Sequence, residues 1–250
     1  MTFIPQCKKG SKILVIGASG GIGRALLGLL AKSEAEIIGA HYSKNIPEYA
    51  SSNCCLIQRE LSTESDCNHV IEEFIKEAGG LDVVVNLAGG IHFSGSWMEM
   101  PEEFYLKDIS LNLNIAFFIS RLALRHMKEN NKWGRIILTG TESALHGGSE
   151  TSFPYAIAKR GTECLVQGLA REGARHNVLV NGVRFGYIKS GFHQRWHNRT
   201  EEDMSKRATL VPLKRGGEPL EAAGLIVYLM SEWASFITGQ MLPLTGGDWL

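Results

Sequence analysis

Residues 12–30 read KILVIGASGGIGRALLGLL. A short apolar run rich in Ile, Leu and Val stops at a cluster of glycines. Apolar residues then resume at the spacing of a helix face. Strand, glycine turn and helix in that order predict the opening unit of a parallel α/β sheet. Gly17, Gly21 and Gly23 set a G-x-x-x-G-x-G spacing, with Ser19, Gly20 and Ile22 between them. Glycine permits a tight turn and close backbone approach to an anion. The free N–H groups at the start of the following helix then meet phosphate oxygens, with the Ser19 hydroxyl as a further donor. The turn is therefore expected to hold a dinucleotide diphosphate. A plain strand-to-helix turn that needs glycine for geometry alone is the other reading.

The rest of the chain repeats the pattern. Strands are expected at 12–17, 35–42, 53–61, 81–88, 134–141, 177–185 and 239–246. Helices are expected at 22–32, 65–78, 102–129, 154–175 and 219–231. Pro101 and Pro219 fall at helix starts, where a missing N–H costs nothing. Alternating strands and helices without a linker or repeat predict one doubly wound α/β domain over 1–250, with about seven strands. The least regular stretch is 186–216. It follows the sixth strand, at the sheet end where open α/β folds bind ligands, and is read as a lid.

Bulk properties exclude several classes. The 250 residues carry 26 Lys and Arg against 26 Asp and Glu, so no global field recruits nucleic acid or anionic lipid. No 18-residue apolar run predicts a membrane span. MTFIPQCKKGSK lacks the apolar core of a secretory signal. Cys7, Cys54, Cys55, Cys67 and Cys164 are odd in number and form no C-x-x-C pair. Free thiols in a reducing cytoplasm are expected, with neither a disulfide framework nor a zinc site.

The end of the second strand bears on the cofactor. An acid there would bond an adenosine ribose 2′-OH, but the chain reads His41-Tyr42-Ser43-Lys44. A hydroxyl and a cation suit a 2′-phosphate, so NADP is favoured, with NAD possible. Gly20 argues the other way, since that turn position can carry a second arginine.

Tyr155 and Lys159 lie four apart in SFPYAIAKRGTECL and share a helix face. A free phenol titrates near ~10, too high to ionise readily at neutral pH. A nearby ammonium and an oxidised nicotinamide ring would lower that value. Such a tyrosine can protonate an alkoxide or take a proton from an alcohol.

These motifs in this order resemble the short-chain dehydrogenase/reductase family over nearly the whole chain. The resemblance implies a Rossmann-type fold and hydride transfer between a nicotinamide and a carbonyl or secondary alcohol. NLAG supplies Asn86, Ala88 and Gly89 along the cofactor. SLNLNIAFF places Asn112 at the family's proton-relay asparagine. Tyr155 and Lys159 become acid/base and its support. GYIKS places Gly186, Ile188 and Ser190 near the nicotinamide, and Glu60 and Leu61 fall near the adenine. The family's hydroxyl residue stands thirteen before the tyrosine, which here is Glu142. Counting from GRIIL gives Thr141 instead, the first choice, with Ser143 second. Phe185 stands where proline is usual, Thr245 replaces an aspartate before the last Gly-Gly, and Glu60 replaces an aspartate.

Arg184, Lys189, His193, Arg195, His197 and Arg199 alternate with Phe185, Tyr187, Phe192 and Trp196. This stretch is either a helical lid whose charges face water or a surface that steers a small carbonyl or alcohol substrate that is anionic or carrier-linked. Lys132 and Arg175 are candidate carrier-docking groups. His92, Trp97 and His146 are placed in loops that can line the pocket. The resemblance also implies a homodimer or homotetramer, packed through 102–129 and 154–175. A silent dinucleotide-binding sensor or assembly protein is the competing class.

Overall fold

The computed structural model describes residues 5–47, 51–130, 133–197 and 199–248. Seven strands are paired in one sheet: β1 (Lys12–Ile16), β2 (Ile37–Tyr42), β3 (Cys54–Gln58), β4 (Val83–Asn86), β5 (Gly134–Thr141), β6 (Val178–Phe185) and β7 (Met241–Leu244). Their order is β3-β2-β1-β4-β5-β6-β7, and every pairing is parallel. The chain winds outward from β1 in one direction and from β4 in the other. The switch point thus lies between β1 and β4, where Ile16 pairs with Asn86. A crevice opens there beyond the strand ends.

The helices are α1 (Gly21–Leu30), α2 (Glu64–Ala78), α3 (Glu102–Ile109), α4 (Ile115–Asn130), α5 (Phe153–Gly173), α6 (Phe192–His197), α7 (Glu201–Leu210) and α8 (Pro219–Met230). Strand alternation sorts the apolar side chains into two cores. Leu14, Ile16, Ile136 and Leu138 face α2, α4 and α5. Ile13, Val15, Ile137 and Val183 face α1 and α8. Both sheet faces are covered, which is why the strands read as apolar runs with little alternation.

The expected elements are present with ends shifted by a few residues. The expected helix at 102–129 differs in kind. Its middle turn, Ser110–Asn114, is a π-helix between α3 and α4. The stretch 186–216 is more regular than its sequence suggested. It contains α6 and α7, the latter capped by Thr200 and Asp203 in reciprocal hydrogen bonds. Among the described residues, no helix is long and apolar enough to cross a membrane.

Candidate active site

The C-terminal ends of β1, β4, β5 and β6 border one cavity of about 970 Å³. The phosphate turn forms one wall. Gly17 has φ +75°, and a Cβ there would lie 2.9 Å from the Ala88 nitrogen. Only glycine lets β1 end this close to the NLAG bend. A Cβ on Gly21 would lie 2.6 Å from the Ser190 carbonyl oxygen, so the lid begins in contact with the turn. Gly17, Gly20, Gly21, Ile22 and Gly23 all reach the cavity. This cradle of bare backbone at the start of α1 fits a dinucleotide diphosphate.

His41 braces the turn from behind, a role its sequence neighbourhood did not reveal. It is buried on β2, where Nδ1 accepts from the Gly17 N–H at 3.3 Å. Nε2 therefore carries the ring proton and donates to the Arg59 carbonyl at 2.9 Å. Burial pulls the imidazole down to about 4, so it is neutral at physiological pH.

The opposite wall carries Tyr155 and Lys159. Lys159 is 3% exposed and donates from Nζ to the Thr139 carbonyl at 3.1 Å. Burial lowers the ammonium to about 8. Nζ lies 5.8 Å from the Tyr155 ring centroid. The tyrosine corrects one expectation. Its pKa lies above the usual phenol value, raised by burial and secondly by the Asp108 carboxylate. In the absence of a positive nicotinamide ring, Lys159 does not overcome that desolvation. Phe192 at the start of α6 packs on the tyrosine, with centroids 5.7 Å apart.

Asn112 is fully buried in the π-turn and lies behind the cavity wall. Its Nδ2 donates to the Gly90 carbonyl at 2.7 Å and to the Asp108 carbonyl at 2.8 Å. Its Oδ1 accepts from the Gly90 N–H at 3.1 Å. The amide is spent on holding the loop after β4. Asp108 is also buried, and its Oδ1 accepts from the His92 backbone at 2.9 Å and lies 2.8 Å from its ring Nδ1. Asn86 shapes the same bend, since its Oδ1 accepts from the Ala88 N–H at 3.0 Å.

Thr141 ends β5, and Ser143 lies in the short 3₁₀ turn Glu142–Leu145. Both line the cavity with Tyr155 and Lys159. None of the Thr141, Ser143 and Tyr155 hydroxyls hydrogen-bonds another described residue. Glu142, on which the thirteen-residue spacing fell, also borders the cavity but is buried and turned towards Arg184. Its Oε2 lies 3.7 Å from Arg184 Nη1, and burial raises its pKa. Arg184 also meets Glu163 of α5 at 3.0 Å.

Ala88, Gly89, Gly186, Ile188 and Ser190 reach the cavity as expected, and Phe185 joins them. Ser19, Tyr42, Ser43, Lys44, Glu60 and Leu61 do not line it. Tyr42 and Leu61 are buried, whereas Ser43, Lys44 and Glu60 are exposed. Two of the basic residues expected to steer substrate are already paired. Arg184 binds the two carboxylates above, and Lys189 meets Glu218 at 2.7 Å. Arg195 and Arg199 line the cavity, as do His193, whose ring packs on Tyr187 and Phe192, and Lys206, which pairs with Glu202 at 2.7 Å. The side chains of Trp196 and His197 lie outside the described residues, as does Lys132. Arg175 pairs with Glu172 at 3.6 Å. His146 lines the cavity, whereas Trp97 packs edge-on against Phe153 with centroids 5.2 Å apart.

A glycine turn of bare backbone at a sheet switch point, facing a tyrosine and a buried lysine across one cavity, has the architecture of a dinucleotide-binding α/β protein. Known proteins agree. The family model described as enoyl-(acyl carrier protein) reductase matches residues 17–248. The 3-oxoacyl-[acyl-carrier-protein] reductase FabG of Vibrio cholerae is 33% identical over 97% of this chain and 98% of its own. The L-rhamnose 1-dehydrogenase (NAD(P)(+)) of Azotobacter vinelandii is 32% identical over 94% and 95%. A short-chain dehydrogenase/reductase double mutant from Serratia marcescens superimposes with a TM-score of 0.82 at 26% identity, covering 96% of this chain and 98% of that one. The chain belongs to the short-chain dehydrogenase/reductase family, a family of nicotinamide-dependent oxidoreductases.

Proposed function

We propose that the chain interconverts a carbonyl and a secondary alcohol, with Tyr155 as acid/base and NADP favoured over NAD. One observation carries the reading: Tyr155, Lys159, Thr141 and Ser143 share a single cavity with the phosphate turn. The bound nicotinamide supplies or accepts the hydride. Tyr155, held as a neutral phenol by burial, donates its proton to the carbonyl oxygen in the reductive direction. Lys159 stays protonated at neutral pH, because a value of about 8 lies above it, and its charge stabilises the phenolate left behind. Thr141, or else Ser143, donates to the oxygen as negative charge develops. Asn112 keeps the loop after β4 against Lys159 and supports the relay that restores the tyrosine proton. The hydroxyl and cation of Ser43 and Lys44, with no acid beside them at the end of β2, support NADP.

The substrate is a small carbonyl or alcohol, anionic or carrier-linked. Arg199 on the cavity supports this, as does the relative named for an acyl-carrier-protein substrate. The exposed apolar side chains Leu106, Phe117 and Ile157 on α3, α4 and α5 support self-association as a dimer or tetramer.

The test is Tyr155→Phe, assayed by NADPH oxidation against a ketone panel. Turnover is expected to fall by two or more orders of magnitude while nucleotide binding persists. A variant that keeps near-wild-type turnover refutes the acid/base assignment. A wild-type chain that binds nucleotide but reduces no ketone favours a silent sensor.

A further inference from the structure

Two guanidinium groups flank the phosphate turn, and neither has an ion-pair partner among the described residues. Arg24, in the first turn of α1, donates from Nε to the Ser19 carbonyl at 2.9 Å. Arg195 comes from the lid helix α6. Its Nη2 lies 4.0 Å from the position a Cβ on Gly20 would take, and its Nη1 lies 3.8 Å from that of Gly191. Backbone contacts fix this placement. The Ser190 carbonyl packs on Gly21, and the Arg195 N–H bonds the Gly191 carbonyl at 3.2 Å. Partial burial depresses the Arg195 guanidinium, and the Arg24 charge depresses it further. Arg195 lines the cavity beside the turn, Arg24 lies close enough on α1 to repel it, and a bound anion near both would relieve the repulsion.

We propose that Arg195 is a diphosphate-binding residue carried by the lid, which closes with Arg24 over the dinucleotide opposite the backbone N–H groups of the turn. A guanidinium suits this role because its planar fork can donate two parallel hydrogen bonds to one phosphate. The position selects the diphosphate over the ribose 2′-phosphate. Arg195 shares the cavity wall with Gly17, Gly20 and Gly21, whereas Ser43 and Lys44 at the end of β2 do not reach it. α6 also brings Phe192 onto Tyr155. Nucleotide binding through Arg195 therefore steadies the Phe192 cover of the acid/base, three residues away on the same helix.

This inference rests on the cavity binding a nicotinamide dinucleotide, and the experiment separates the two. NADP⁺ and NAD⁺ are titrated by calorimetry into the wild-type chain, Arg195→Ala and Arg195→Lys, with no turnover involved. Arg195→Ala is expected to weaken both nucleotides by the same factor, about tenfold, equivalent to about 1.4 kcal/mol. Arg195→Lys should recover part of the loss, since it keeps the charge without the fork. A loss confined to NADP⁺ overturns the proposal in favour of the 2′-phosphate. Unchanged binding overturns it too, whether or not the KM of a ketone substrate rises. If the wild-type chain binds neither nucleotide, the reading of the cavity itself fails.

Discussion

Replacing His41 by glutamine removes the titrating group beneath the phosphate turn. The new amide can still donate to the Arg59 carbonyl, but it does not at the same time accept from the Gly17 N–H. The loss of that one hydrogen bond costs about 1 kcal/mol at pH 7.5. Acid reverses the ranking. The folded imidazole titrates at about 4, below the 6.5 of an unperturbed histidine. Between those values the unfolded chain binds more protons than the folded one. Wild-type stability is therefore lost as pH falls from 6.5 towards 4. For this group alone the loss is about 2 kcal/mol by pH 5 and about 3 kcal/mol once both states are protonated. The variant has no such term. Other groups titrate in both proteins and cancel in the difference. Urea unfolding from pH 7.5 to 5, at one fixed protein concentration, should show the wild type more stable at neutral pH and the variant more stable at pH 5. A stability difference that stays constant across this range would refute the argument that His41 is buried neutral against Gly17 and Arg59.

Two other expectations separate roles that share the cavity. Of Thr141→Ala and Ser143→Ala, the one that removes the oxyanion donor should lower kcat by about 10²-fold or more, and the other by only a few-fold. Steady-state kinetics on a shared ketone substrate decides between them, with the loss expected at Thr141. Asn112→Ala strips the partners from the Gly90 N–H, the Gly90 carbonyl and the Asp108 carbonyl, all in a buried region. A loss of about 3 kcal/mol in urea unfolding is expected, since unsatisfied buried groups forfeit their solvation. A loss below about 1 kcal/mol would mean that the loop after β4 does not depend on this clamp.

The elements legible in the sequence are those that depend on local chemistry. β1, its glycine turn and α1 follow from apolar runs and glycines within nineteen consecutive residues. The i, i+4 spacing places Tyr155 and Lys159 on one face of α5. The brace at His41 is different in kind. It needs Gly17, twenty-four residues earlier, and Arg59, eighteen later, to meet across strands β1, β2 and β3. No local pattern encodes that meeting. The buried lysine likewise finds its acceptor on β5, twenty residues away. The π-turn at Ser110–Asn114 escaped notice because one irregular turn barely disturbs the apolar spacing of a long helix. The sequence places Arg195 in the lid without saying which wall it reaches; the fold sets its guanidinium beside Gly20 of the phosphate turn.

The direction of Glu142, by contrast, follows from strand alternation. Successive side chains of β5 point to opposite faces. Ile136 and Leu138 pack with the α2, α4 and α5 core, whereas Ile137 packs with α1 and α8. Gly140 continues the first row and Thr139 and Thr141 the second. Glu142 follows Gly140 in the first row and meets Arg184, whose own strand partner is Gly140. On β6 the same alternation puts Arg184 in line with Val178 and Val180, towards α5 and Glu163. Counting thirteen residues back from Tyr155 ignores this parity, and an inserted residue in the following loop shifts the count. The carboxylate of Glu142 is engaged by Arg184 on the α5 side of the same cavity, and the hydroxyls that border that cavity are Thr141, at the last residue of β5, and Ser143, in the 3₁₀ turn beyond it.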